Sequence, residues 1–195
     1  MSALTKHYDP LPVHARTLGM WLFLAALTML FLAAMLGYVL VRINSPSRPA
    51  TGSINISWLF ALSSVIIIAA SFTIERAVRF LQLEKQRLFK RNLNITLVLT
   101  LLFIAIQTPS LIALLATHDS AIAQGISLYG LVFVLILLHA LHVLGGLIPL
   151  LVTIRRAARN EYDHENISPI RSLAMYWHFL DAVWIVMLVV LVALR

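Results

Sequence analysis

Cysteine is absent from the 195-residue chain, so disulfides, thiolate-bound metals and iron–sulfur clusters are excluded as sources of stability or chemistry. Charge is scarce as well: Asp, Glu, Lys and Arg make up 12% of the residues against 61% hydrophobic ones, whereas a soluble domain carries about 25% charged side chains. Too little polar surface remains to clothe a water-soluble fold. There is no Gly-rich phosphate cradle of the Walker type, which argues against an ATP-driven pump. No inverted or parallel repeat stands out to support a secondary transporter. Acidic residues number 8 against 15 Lys and Arg, giving a formal net charge of +7. The basic residues cluster between hydrophobic runs, as topology determinants do, and form no soluble basic face for nucleic acid.

What the chain does have is apolar runs close to or beyond the about 20 residues an α-helix needs to cross a bilayer. Five spans are predicted, at 18–41, 56–74, 93–116, 122–154 and 173–194, making one all-α polytopic transmembrane bundle over 1–195. The first apolar run is too long for a cleaved signal peptide and is expected to remain as a helix. Twelve of the fifteen Lys and Arg fall in the amino-terminal tail and the second and fourth loops, and three (Arg42, Arg48, Arg195) on the opposite side. The positive-inside rule then puts the amino terminus in the cytoplasm and the carboxyl terminus outside. The outer connections, "NSPSRPATGS" and "THDSAIAQG", are too short to form a domain.

Small residues mark helix faces suited to close packing: Ala26, Ala33 and Gly37 along the first helix, and Ala70, Thr73 and Ala77 at the end of the second. Polar groups inside the spans carry more information, because each costs several kcal/mol if left facing lipid. Apart from hydroxyls and Gln107 they are His139 and His142 on the fourth helix and His178 and Asp181 on the fifth. Residues three apart share a helical face, so His139, His142 and Gly146 line one stripe, and His178 and Asp181 another.

At about 1.5 Å rise per residue, His142 lies about 20 Å along the fourth helix from Arg155 and Asp181 about 15 Å along the fifth from Arg171. An imidazole–carboxylate contact near mid-membrane is therefore predicted, as part of a polar clasp between the two helices. Two other readings use the same residues: a haem held by one histidine from each helix, such as His142 and His178, and a metal site using all four groups. At the rim, Arg76, Arg79, Arg155 and Arg156 adjoin helix ends, where each could attract anionic lipid headgroups by about 1 kcal/mol. Trp21, Trp58 and Trp177 near the predicted interfaces suit an aromatic belt, and Glu75 is placed to pair with Arg76 or Arg79.

The stretch HALHVLGG, from His139 to Gly146, is followed after a basic loop by YWHFLDAVW, from Tyr176 to Trp184. Together they resemble the paired signatures of subunit III of haem–copper terminal oxidases, on the last two helices of that family. Further along the chain, Gly19-Met-Trp-Leu-Phe23 resembles the family's G-M-x-x-F, Ser71 to Thr73 its S-x-T, and Phe103 with Gln107 its F-x-x-x-Q. The resemblance covers all five helices of the shorter form of the subunit. Three positions where the family often carries glutamate are Leu27, Ser110 and Arg171 here, and Ala140 replaces a glycine.

The resemblance implies a non-catalytic, lipid-binding subunit of the cytoplasmic (inner) membrane that packs on subunit I beside subunit II, stabilises the complex and supports proton uptake. It also implies that this chain carries no cofactor, the haems and copper belonging to partner subunits. Gly19, Gly37, Gly146, Gln107 and Trp184 are expected to serve helix packing. Alternatives are an accessory subunit of a nitric oxide reductase or another respiratory assembly, a self-contained b-type cytochrome, and a transporter or channel.

Overall fold

The computed structural model describes residues 13–44, 58–123, 127–162 and 167–193. The loop NSPSRPATGS beyond Asn44, residues Lys6, Arg48 and Arg195, and the side chains of Trp58 and Ser110 lie outside the described residues. Five α-helices follow one another: α1 (Val13–Asn44), α2 (Trp58–Gln82), α3 (Gln86–Ala123), α4 (Ser127–Ala158) and α5 (Ser168–Ala193).

All five helices overrun or shift from the apolar runs that predict them. The helix drawn to end at 74 continues to Gln82, and α3 starts at Gln86, not at 93, so both extend into the basic segment. The predicted outer loop THDSAIAQG is helical through Ala123, and α4 begins at Ser127, later than the predicted 122. Hydrophobicity marks where a helix meets lipid; hydrogen-bonded caps mark where it stops. At the end of α2, Lys85 N–H donates to Phe80 C=O at 2.9 Å and Glu84 N–H to Leu81 C=O at 3.0 Å, with Glu84 at φ 57°. This is a Schellman cap, in which a left-handed residue lets two amides turn back onto the last turn. It recurs at the end of α4, where Glu161 N–H reaches Arg156 C=O and Asn160 N–H reaches Ala157 C=O, both at 3.1 Å, with Asn160 at φ 57°.

Helices α2, α3, α4 and α5 close a ring in which each touches its two neighbours, while α1 packs outside it on α4 and α5 alone among the described residues. Trp184 of α5 joins the ring across its centre. Its indole N–H donates to Ser64 Oγ on α2 at 3.0 Å, and its ring lies 5.5 Å from Phe103 of α3 and 5.1 Å from His139 of α4. Outside, α1 docks through Phe23, stacked on Tyr176 at 6.0 Å, and Phe31, 5.1 Å from His142 and 6.4 Å from Phe179.

The small residues of α2 meet a neighbour: Ala70 and Ala77 are buried and Thr73 shares a 2.8 Å hydrogen bond with Thr96 of α3. Those of α1 do not pack within this chain, since Ala26 and Ala33 are exposed and Gly37 is half-buried. The packing stripe of α1 is carried instead by Leu24, Leu27, Phe31, Met35 and Tyr38, all buried. Large apolar side chains such as Leu22, Met29, Leu36, Val65 and Phe72 point outward, the inverse of a soluble protein and the surface lipid requires. Among the described residues, four helices are long and apolar enough to cross a membrane, and α2 runs beside them.

At one end of the ring, the start of α3 grips the segment after α4. Lys90 Nζ donates to Asn160 Oδ1 at 2.8 Å, Gln86 Nε2 to Tyr162 C=O at 3.0 Å, and Phe89 meets Tyr162 edge-on at 6.3 Å. These contacts bring the basic second and fourth loops together on one face of the bundle.

Candidate functional site

The polar residues of the interior divide between two sides of α5. His178 faces α2. Its Nδ1 shares a hydrogen bond with the Ser71 hydroxyl, and its Nε2 lies 3.5 Å from Glu75 Oε2. The other oxygen of Glu75 is 3.5 Å from Arg79 Nε. Asp181, one turn further in, is buried, and Ser71 is near enough to interact with its carboxylate. Neither carboxylate oxygen makes a hydrogen bond of ordinary geometry among the described residues.

The histidines of α4 face elsewhere. His142 Nδ1 donates to Leu138 C=O at 2.7 Å, and the Tyr176 hydroxyl donates to His142 C=O at 2.8 Å. His139 is 1% exposed and boxed by Phe31, Phe103 and Trp184, with ring centroids 5.1 to 6.4 Å away; neither of its ring nitrogens makes a hydrogen bond. Thus each pair shares a helical face, as the three-residue spacing requires, yet no hydrogen bond joins Asp181 to His139 or His142. The reason is topological: α5 sits between α2 and α4, and its His178–Asp181 stripe turns to α2 while Tyr176 and Trp177 turn to α4.

The same division bears on cofactor readings. His142 and His178 look toward different neighbours and do not fit a ligand pair for one haem. Among the described residues no group of three or more His, Cys, Asp or Glu is placed to hold a metal.

The three glycines singled out for packing differ in surroundings. A Cβ built on Gly146 would stand 2.7 Å from Tyr176 Cε1 and 3.6 Å from Trp177 Cζ2, so only hydrogen fits there. At Gly19 and Gly37 a Cβ would meet nothing within 4 Å. Gln107 is buried on α3 with its amide nitrogen unpaired among the described residues.

At the basic end, a cleft of about 820 Å³ runs between α1, α4 and α5, walled by Met20, Phe23, His142, Tyr176 and Pro149 and reaching Arg156. Arg156 and Arg159 lie 3.9 and 3.7 Å from the Glu161 carboxylate. Arg76 stacks over Phe72 at 4.5 Å, Arg155 is exposed, and Arg79 lines a smaller, more polar depression with Glu75, Arg171 and His178. Sequence reasoning did not find the Ser71–His178, Ser64–Trp184 and Gln86–Tyr162 bonds. Their partners stand 107, 120 and 76 residues apart, and a hydroxyl in a hydrophobic run gives no sign of which helix it faces.

A helix bundle with a lipid-facing exterior and its polar groups turned inward is an integral membrane protein of the multi-span class. More particularly, the chain belongs to the cytochrome c oxidase subunit III family, whose model matches residues 6–194. It is 26% identical over 200 residues to a cytochrome c oxidase subunit 3 of Synechocystis sp., covering 96% of this chain and 82% of the relative. To a probable cytochrome c oxidase subunit 3 of Mycobacterium leprae it is 33% identical over 135 residues, covering 68% of this chain and 64% of the relative. To a cytochrome bo(3) ubiquinol oxidase subunit 3 of Buchnera aphidicola it is 25% identical over 168 residues, covering 86% of each.

Proposed function

We propose that this chain is the non-catalytic, lipid-binding subunit III of a respiratory haem–copper oxygen reductase in the inner membrane. In this reading it packs on subunit I beside subunit II, stabilises the complex and supports proton uptake, with its amino terminus cytoplasmic and its carboxyl terminus outside. The observation that carries the reading is the family match over residues 6–194, with both paired histidine motifs inside it. The relatives' names divide between cytochrome c and ubiquinol oxidases, so the reading extends to the oxygen-reductase class and leaves the electron donor open.

Two features support the finer parts. The cleft between α1, α4 and α5 has apolar walls for acyl chains and Arg156 at its basic end for an anionic headgroup. The contacts of Lys90 with Asn160 and Gln86 with Tyr162 gather the basic loops at one face, in keeping with a cytoplasmic side.

The test is retention. A tagged chain purified from its membrane in mild detergent should bring down a larger subunit carrying haem and copper. Recovery without any haem–copper subunit would overturn the assignment. A stoichiometric Soret absorbance on the isolated polypeptide would replace it with a cytochrome.

A further inference from the structure

Between α3 and α4, away from the large cleft, lies a cavity of about 120 Å³ whose lining includes Gln107, Thr108, His139 and Trp184. Two of these carry hydrogen-bonding groups without partners among the described residues. His139 is 1% exposed with both ring nitrogens unpaired, and Gln107 is 8% exposed with its amide nitrogen unpaired. The other two have committed their donors: Trp184 Nε1–H to Ser64 Oγ at 3.0 Å, and the Thr108 hydroxyl to Ile104 C=O at 2.7 Å. The rest of the lining is apolar, with Phe103, Ile136, Val143 and Leu144.

Buried polar groups are nearly always satisfied, by protein or by ordered water, and the pressure to satisfy them is greatest in hydrocarbon, where no bulk solvent competes. A neutral imidazole has one donor and one acceptor, and a carboxamide nitrogen has two donors. Gln107 and His139 both line this cavity, with their unpaired nitrogens almost fully covered, and do not bond to each other. The group that completes both must donate to the bare imidazole nitrogen while accepting from the imidazole N–H or the amide. Water does both. One water occupies about 30 Å³ and needs 2–4 polar partners, so the space is ample.

We infer that this cavity is an intramembrane water site, in which bound water joins His139 of α4 to Gln107 of α3. The tie gives α3 and α4 a polar link that neither side chain makes directly. An acyl chain entering past Leu144 is the competing occupant.

Solid-state NMR on the full chain in lipid bilayers, with ¹⁵N-labelled histidine, tests this. In water-edited spectra the His139 ring nitrogens, assigned by their loss in His139→Phe, should receive magnetisation from water at a rate comparable to those of His178 at the rim. Gln107→Leu should slow that transfer several-fold while leaving the His178 signal unchanged, which also reports that the variant is folded. The inference is overturned if His139 draws its signal from lipid methylene protons, if it draws none from water, or if Gln107→Leu leaves its transfer unchanged. The wild-type spectrum decides the first two outcomes even if the variant does not fold.

Discussion

Toward α2, helix α5 presents His178, whose ring bonds Ser71 and approaches Glu75; toward α4 it presents Tyr176 and Trp177, which close over Gly146. The first seam is polar and opens toward the rim, with His178 exposed. The second is buried and fitted by shape, with Trp177 1% and Tyr176 8% exposed. Helices in lipid gain nothing from hiding apolar surface from water and associate through close packing and interhelical hydrogen bonds. The two sides of α5 weight these mechanisms differently: close fit around Gly146 with a single bond from the Tyr176 hydroxyl to His142 C=O holds it to α4, and side-chain bonds hold it to α2. A change of volume should therefore be felt most at Gly146, and a loss of the Ser71 hydroxyl at the α2 seam.

The largest effect is expected from Gly146→Val. The first added carbon already falls 2.7 Å from Tyr176 Cε1, so the ring must move, and its hydroxyl, which donates to His142 C=O at 2.8 Å, moves with it. Overpacking of this kind costs about 1–3 kcal/mol, to be read as a lowered unfolding midpoint in detergent. Gly37→Ala, where the added carbon meets nothing within 4 Å, should change stability by less than about 0.5 kcal/mol. Equal effects at the two glycines would break the comparison, because close approach would then not distinguish the α4–α5 seam.

Ser71→Ala should come next. It removes the hydroxyl that His178 Nδ1 meets across the α2–α5 seam and leaves the volume nearly unchanged. Interhelical hydrogen bonds in membranes are worth about 0.6 kcal/mol on average and up to about 1.7, so a loss of about 0.5–1 kcal/mol is expected. A double-mutant cycle with His178→Phe sharpens this: a coupling of about 0.5 kcal/mol or more assigns the loss to the bond, and strict additivity assigns it elsewhere. The buried Asp181 lies on the same stripe as His178, so repeating the cycle with Asp181→Asn tests whether the hydroxyl also serves that carboxyl group.

How much of this was legible beforehand follows from what each signal encodes. Five apolar runs gave five helices. Helix ends were displaced because caps, not hydrophobicity, end α2 and α4. At Glu84 a left-handed residue is used without glycine, so no composition cue marks the stop. Asn160, a residue tolerant of that conformation, was the readable one of the two. The facing of each stripe was not legible at all. It depends on α5 lying between α2 and α4, a property of the assembled ring, and on Ser71, a hydroxyl 107 residues away from its partner.

The smallest effect is expected where the polar seam reaches the rim. Glu75 stands between His178 Nε2 and Arg79 Nε, both at 3.5 Å, but its side chain is 39% exposed and those of His178 and Arg79 are 46% and 71% exposed. Solvent screens such pairs, and ordering three flexible side chains offsets most of the attraction, so Glu75→Gln should cost below about 0.5 kcal/mol. The amide keeps an acceptor for the histidine ring and the Ser71 bond lies deeper, so His178 should stay in place. Adding salt should shrink even this difference, since exposed charges lose their attraction over about 8–10 Å at physiological ionic strength. Unfolding midpoints of the two forms, compared at low and high salt, check both points. A salt-independent loss larger than that of Ser71→Ala would reverse the order within the seam, making the rim carboxylate and not the buried hydroxyl the group that holds α5 to α2.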